Sequence, residues 1–260
     1  MKIGIRVELG DLSKIKIKNT KIGKWKKLNS FPIEFIFDNY PELIEKIVYL
    51  KSGTGLSYSR IKIPKLMSKD LAYLLGALRD GSLINSSGKF WVRIYDDKES
   101  GWIENIKPRI EKLFDKRIHL REHKRFNSKY LDISSKPLCS FLNILVDKNL
   151  HKDVPEIIKG SDIEIQKAYI SGFFDAEGYV PYPTVKNKRY RITFNQKNQK
   201  PLIFIKQFLD TLNIKCPKIS RHILPIYGKE NILRFQRNFE LYNPSKLKRL
   251  EILLGNTLPD

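Results

Sequence analysis

Two carboxylates, Asp80 and Glu177, end two apolar stretches in the same way. The stretches are Leu71-Ala72-Tyr73-Leu74-Leu75-Gly76-Ala77-Leu78-Arg79-Asp80-Gly81 and Ala168-Tyr169-Ile170-Ser171-Gly172-Phe173-Phe174-Asp175-Ala176-Glu177-Gly178. Both read as helices stopping at a glycine, which suits a left-handed C-cap. An acid in the last turn faces the negative end of the helix dipole, a cost of about 0.3–1 kcal/mol unless something compensates. A bound cation compensates. Two such helices side by side would bring Asp80 and Glu177 together as a hard-oxygen site suited to Mg²⁺. Gly76 and Ala77 in one stretch, and Ser171, Gly172 and Ala176 in the other, would let the backbones approach closely. One such helix alone reads better as a Gly-capped core helix with a solvated acid; the doubling, inside a repeat and a chain of this charge, turns the balance to the metal site.

The elements that must position these acids repeat. The acids stand 97 residues apart, and each is followed by a hairpin with an alternating second strand. Alternation turns Phe90, Val92 and Ile94 inward in the first copy and Tyr190, Ile192 and Phe194 in the second. Amphipathic helices follow at 102–114 and 200–212, then basic strands at 117–123 and 218–222. Last strands run into Ile133-Ser134-Ser135-Lys136 and Ile226-Tyr227-Gly228-Lys229 before a further helix. The predicted architecture is α+β, two pseudo-symmetric αββαββα domains (62–160 and 161–260) behind a basic N-terminal extension (1–61). The copies differ in one respect: Gly76 to Gly81 is one residue shorter than Gly172 to Gly178, and Arg79 stands where the second copy has Ala176. The first helix must then change its packing register, which bears directly on where Asp80 lies.

The first 70 residues hold 15 Lys/Arg against 7 Asp/Glu. Lys14-Ile15-Lys16-Ile17-Lys18 reads as a half-buried strand and 41–51 as helix-like. Ser52–Ser57 reads as a flexible break, with 55–61 a linker only faintly like the turn of a helix-turn-helix. Over the chain, 49 Lys/Arg against 28 Asp/Glu leave a formal charge of +21, with a pI near 9.8. A field of that size attracts polyanions, nucleic acid first; a thermophile's Lys-rich surface is the alternative, but such surfaces usually mix their charges. Cys139 and Cys216 form no disulfide or zinc pattern, no apolar run is long enough to span a membrane, and the N-terminus lacks a signal peptide's apolar stretch. An intracellular protein is expected.

Ile170-Ser171-Gly172-Phe173-Phe174-Asp175-Ala176-Glu177-Gly178 resembles the LAGLIDADG motif almost position for position. The approach from Val154-Pro155-Glu156 through Ile165-Gln166-Lys167 is similar to that family's lead-in to its second motif. The resemblance spans about residues 62–254 and implies a single-chain, two-motif homing endonuclease. It implies that the paired motif helices form the domain interface, that their final acids bind divalent metal, and that two saddle-shaped sheets follow the major groove. By position the metal-binding acids are Asp80 and Glu177, whereas Asp175 matches a packing position. Lys136 and Lys229, just after the fourth strand of each copy, correspond to lysines that reach the active-site solvent; they read equally as strand–helix junction lysines. Gln196 matches a water-ordering position whose counterpart in the first copy is Asp96.

Alternation turns Lys89, Trp91, Arg93 and Tyr95 away from the core, with Arg117, His119, Arg121 and His123 on the third strand. In the second copy it does the same for Arg189, Arg191, Thr193 and Asn195, then Lys218, Ser220 and His222. Arg and Lys can read guanine and Asn adenine in the major groove, while others would hold phosphate; a solvated sheet face is the alternative. The implied activity is Mg²⁺-dependent cleavage of double-stranded DNA at a long pseudo-palindromic site by a monomer. The N-terminal segment would extend the DNA contact. Met1 and the ending Asn256-Thr257-Leu258-Pro259-Asp260 lack the residues of a self-splicing intein, which favours a free-standing, intron-encoded enzyme. The rivals are an RNA-splicing maturase and a non-catalytic DNA-binding regulator on the same fold.

Overall fold

A computed structural model of the chain describes residues 5–52, 59–86, 89–123, 126–146, 151–182 and 190–255. The N-terminal part is a folded module rather than a loose extension. Its elements are β1 (Ile5–Leu9), α1 (Thr20–Lys27), β2 (Phe31–Pro32), α2 (Ile33–Asn39), a 3₁₀ helix (Pro41–Lys46), β3 (Ile47–Ser52) and β4 (Ser59–Lys62). The strands form an antiparallel sheet in the order β2-β1-β3-β4. Ile5, Val7 and Leu9 alternate into a small core with Ile15, Ile22, Phe31, Ile36 and Ile61. Two expectations are corrected here. Lys14–Lys18 is irregular, because Ile15 is buried while Ile17 points to solvent and no strand pairs with the segment. The helix-like 41–51 is a 3₁₀ turn followed by β3, whose β-branched residues are claimed by pairing with β1 and β4.

The first repeat follows its predicted order: α3 (Lys69–Ala77) with a 3₁₀ turn (Leu78–Asp80), β5 (Gly81–Ser86), β6 (Lys89–Asp97), α4 (Trp102–Phe114), β7 (His119–Glu122), β8 (Ser128–Ser134) and α5 (Lys136–Leu145). Its sheet has the order β5-β6-β8-β7. Val92, Ile94, Leu131 and Ile133 face Ile103, Ile106 and Ile110 of the amphipathic α4 across the core.

After a short α6 (Glu156–Lys159), the second repeat comprises α7 (Ile163–Glu177), β9 (Gly178–Tyr179), β10 (Arg191–Asn195), α8 (Gln199–Thr211), β11 (Ile223–Tyr227), α9 (Lys229–Asn238) and α10 (Pro244–Leu254). It departs from the expected symmetry. The basic strand at 218–222 is absent; a tight turn with Arg221 and His222 at positive φ leaves a single bridge, Ser220 to Ile223. Among the described residues this sheet therefore has three strands, β11-β10-β9.

The two repeats meet along α3 and α7. A Cβ on Gly76 would lie 2.0 Å from the Tyr169 carbonyl oxygen, and one on Gly172 2.0 Å from that of Tyr73. Each helix thus lays bare backbone on the other, at a separation no side chain permits. Lys69 pairs with Glu164 at 2.7 Å near the helix starts, and both helices are N-capped, by Ser68 and Asp162.

The crossing makes a direct prediction. Gly76→Ala and Gly172→Ala should each lower unfolding free energy by about 3 kcal/mol in denaturant titrations, since backbone rather than a movable side chain must give way. Gly160→Ala, where the nearest atom is 3.6 Å away, should stay within about 0.5 kcal/mol of wild type.

Candidate active site

The acids reach the same depth by different routes. From Gly172 to Glu177 five α-helical steps advance about 7.5 Å; from Gly76 to Asp80 one α step and three 3₁₀ steps also advance about 7.5 Å. The 3₁₀ turn at Leu78–Asp80 thus absorbs the missing residue, and Asp80 keeps its place beside Glu177. Neither closing glycine is left-handed, contrary to expectation: Gly81 has φ −122° and Gly178 φ −78°. Both are needed for space. A Cβ at Gly81 would sit 2.6 Å from the Arg93 carbonyl oxygen, and one at Gly178 2.4 Å from that of Phe174.

Burial, together with the charge of Asp80 and against the pull of Arg79 and Lys246, pushes the Glu177 carboxyl up to about 7. Asp80 keeps one edge in solvent, yet surrounding protein raises it to about 6, with Lys246 opposing and Asp96 and Asp97 adding to the rise. Two carboxylates that repel each other across helix C-termini are a donor set short of positive charge. These hard oxygens fit a divalent cation such as Mg²⁺.

Each acid opens onto its own cleft. The cleft beside Asp80 is lined by Tyr95, Asp96, Asp97, Ser100, Lys246 and Arg249. The cleft beside Glu177 is lined by Asn195, Gln196, Lys197, Arg221, His222 and Ile223. Gln196 therefore lies where its motif position places it. Asp96, its counterpart, is engaged: its Oδ2 accepts bonds from Ser100 Oγ and, at 3.3 Å, from the Ile103 amide.

Lys136 and Lys229 are not brought to the acids. Gly81 faces Ile94 on β6, whereas the Ser135 amide bonds the Phe90 carbonyl, four residues toward the other end. Lys136 lies there, its ammonium 5.4 Å from the Phe90 ring. Likewise Gly178 pairs with Phe194, while Gly228 bonds Tyr190, so Lys229 starts α9 at the far end of β10. Four strand residues are about 13 Å, beyond contact with the metal site.

The ammonium that is present comes from Lys246, which sequence reasoning missed. It is half-buried, and its Nζ donates to the carbonyls of Phe174 at 2.8 Å and Asp175 at 2.7 Å. Burial lowers it to about 8, opposed by Asp175, Asp80, Asp96 and Glu177. Asn243-Pro244-Ser245-Lys246 announces a capped helix start, and Asn243 Oδ1 does accept from the Lys246 amide at 3.1 Å. Nothing local says that this start abuts α7.

Asp175 is a packing residue, as the motif implies. Its Oδ2 accepts from Tyr73 Oη at 2.5 Å and the Tyr242 amide at 2.6 Å, and Trp102 Nε1 donates to Tyr73 Oη at 2.7 Å. This buried chain ties both repeats together below the acids. Arg79 is also buried, its Nη1 on the Asp153 carbonyl at 2.9 Å and its guanidinium 5.4 Å from the Phe173 ring.

On the first sheet, Lys89, Arg117, His119 and Arg121 are exposed, and Trp91, Arg93, Tyr95 and His123 are half-buried. Asp132 holds Arg93 at 3.0 Å and Arg121 at 2.9 Å, so these arginines lie pre-aligned on the strand face. On the second sheet Arg191 and Asn195 are half-buried, but Thr193 is buried and unavailable. Lys218, Ser220 and His222 are exposed on the turn that replaces the expected strand, with Arg221 beside them. Arg189 lies outside the described residues.

A family model described as a LAGLIDADG-like domain matches residues 164–240. The homing endonuclease I-ApeI of Aeropyrum pernix is 29% identical over 204 residues, 73% of this chain and 89% of its own. Residues 164–240 are thus similar to a LAGLIDADG-like domain, the stretch that holds Glu177 and its motif. Among solved structures, a structure from a study of mesophilic variants of the homing endonuclease I-DmoI superposes on this chain with a TM-score of 0.53. It is 20% identical and is covered over 97% of its chain, against 70% of this one. The homing endonuclease I-WcaI bound to its DNA recognition sequence gives a TM-score of 0.51 at 14% identity, over 71% of this chain and 87% of its own. These neighbours establish the fold. No helix among the described residues is long and apolar enough to cross a membrane.

A pH-dependent stability follows from the raised acids. A carboxyl whose pKa rises on folding stabilises the fold at low pH, and that contribution is lost as pH climbs through its folded value. In chelator, Asp80→Asn/Glu177→Gln should therefore gain stability relative to wild type between pH 5 and pH 8, by about 1–3 kcal/mol after discounting for solvent. Adding Mg²⁺ or Ca²⁺ at pH 8 should raise the wild-type melting temperature and leave the double variant unmoved. Differential scanning fluorimetry measures both.

Proposed function

We propose that this protein is a site-specific endonuclease of double-stranded DNA that hydrolyses phosphodiester bonds with a divalent metal, Mg²⁺ or another hard cation. The observation that carries the reading is the pairing of Asp80 and Glu177 at the ends of two helices in backbone contact, each acid raised and each at the mouth of its own cleft. Similarity of residues 164–240 to a LAGLIDADG-like domain, the +21 charge and two sheets with cationic strand faces support it. I-DmoI has been seen with DNA and Ca and with DNA and Mn, which favours a divalent ion of similar demands here.

Asp80 and Glu177 would hold the metal, which when bound polarises the phosphate and lowers the pKa of an attacking water. The rest falls to the chain. Lys246 holds the C-terminus of α7 and lessens the repulsion between the acids, so both can ionise near neutral pH. Gln196 can donate to or accept from a water on the Glu177 side, whereas Asp96 is already bonded, so the two cleavage centres are chemically unequal. Lys89, Trp91, Arg93, Tyr95, Arg117, His119 and Arg121 would meet one half-site, and Arg191, Asn195, Lys218, Arg221 and His222 the other. A monomer suffices, because both motifs reside in one chain.

The deciding experiment is cleavage of a randomised-site plasmid library with and without Mg²⁺. Wild type should cut a discrete set of sites only with metal, and Asp80→Asn or Glu177→Gln should lower the rate by about 100-fold or more. Absence of wild-type cleavage together with tight RNA binding would sink the reading in favour of a maturase. The rate should rise with pH through about 6–7 as the acids ionise. Lys246→Met, which removes a positive neighbour, should shift that rise to higher pH.

A further inference from the structure

Between Asp11 and Glu34 the chain carries seven lysines and no acid. The folded module gathers them on one connection, the loop and α1 that link β1 to β2. Lys14, Lys16, Lys18, Lys21, Lys24 and Lys27 are exposed, and among the described residues none of them makes an ion pair. Only Lys26 turns inward, donating to the Ile15 carbonyl at 2.8 Å. The module does contain acids, but they are placed elsewhere. Glu8 is held by Lys51 and Arg60, and Glu34, Asp38, Glu42 and Glu45 lie on α2 and the 3₁₀ helix. An ordinary solvated surface interleaves its charges; here the edge formed by this connection carries six exposed lysines beside a single acid, Asp11.

The module's docking fixes where that edge points along the molecule. Its β4 edge packs on α4 and α5 of the first repeat, with Tyr49 Oη donating to Asp115 at 2.9 Å and Ser59 Oγ bonded to Ser135 Oγ at 2.9 Å. Ser135 in turn bonds Phe90, at the hairpin-tip end of β6, the end farthest from Asp80 and Gly81. β1 and β2 lie two and three strands from β4, so the lysine-bearing connection sits about 10–14 Å from the docked edge. Three-tenths of this chain has no counterpart in the I-DmoI fold, which is itself matched almost completely.

We infer that the N-terminal module is a second duplex-binding unit, whose exposed lysines 14–27 hold the DNA phosphate backbone beyond the outer end of the half-site read by the first repeat. This rests on the reading of the protein as a DNA-binding endonuclease and adds a one-sided extension of its footprint. Lysine ammonium groups on their flexible side chains suit phosphates rather than base edges, so the module contributes affinity and not sequence choice.

The test uses the full chain with Lys14, Lys16, Lys18 and Lys24 all changed to Gln, exposed positions whose ammonium groups make no ion pair among the described residues. The probe is a labelled mixed-sequence duplex of about 60 base pairs in chelator, with affinity followed against salt. Four lost phosphate contacts should lower the slope of log K against log salt by about 3–4, while the four Lys→Arg changes should leave it intact. An unchanged slope would overturn the proposal, as would a loss confined to duplex RNA. On a cleavage-selected target, the footprint should shorten on one side with the cut positions kept; shortening on both sides would refute the placement. Should wild type prove unable to cut, the slope measurement still stands, so failure of the endonuclease reading is separable from failure of this one.

Discussion

The close crossing of α3 and α7 is the constraint on which the rest of the structure depends. At Gly76 and Gly172 each helix uses the other's backbone as its packing surface. That contact sets the distance between repeats, and the distance brings two helix C-termini, each carrying an acid, into one electrostatic neighbourhood. A wider crossing filled by side chains would bury apolar area just as well. It would also separate Asp80 from Glu177 and dissolve the site.

Such proximity is unfavourable, and the surrounding protein manages it without neutralising it. The half-buried Lys246 binds the last carbonyls of α7 and offsets part of the charge of four acids around it. Beneath, Trp102, Tyr73, Asp175 and the Tyr242 amide form a buried hydrogen-bonded chain from α4 to the segment before α10. Breaking a chain of this kind leaves polar atoms buried without partners, so it resists sliding of one repeat over the other. The acids stay raised, which keeps them ready to exchange protons for a cation near neutral pH.

The repeats keep the shared helix geometry and diverge around it. Among the described residues the first sheet has four strands and a face on which Asp132 aligns two arginines; the second has three, with a turn bearing Arg221 and His222 where a strand was expected. Duplicated units joined in one chain are free to drift in this way, since only the helix contact must remain matched. The 3₁₀ turn before Gly81 shows the same tolerance: a residue is missing, the helix tightens, and the acid stays in place.

Much of this was readable from the chain itself. Two apolar stretches ending in acid and glycine, the hydrophobic alternation of β6 and β10, and the surplus of lysine specified two related α+β units and a pair of acids, because periodicity and local composition carry that information directly. Local pattern failed where long-range contacts decide. Lys14–Lys18 alternates like a strand but has no neighbour to pair with, and 41–51 looks helical but is claimed by a sheet. Lys136 and Lys229 recur at matching positions, yet strand direction carries them away from the acids. Lys246, about 70 residues beyond Glu177, is delivered to them by the packing of α10 on α7. Residue type and spacing were therefore enough to name the carboxylates, whereas the cation beside them was chosen by tertiary packing, which brings together groups that no local spacing relates.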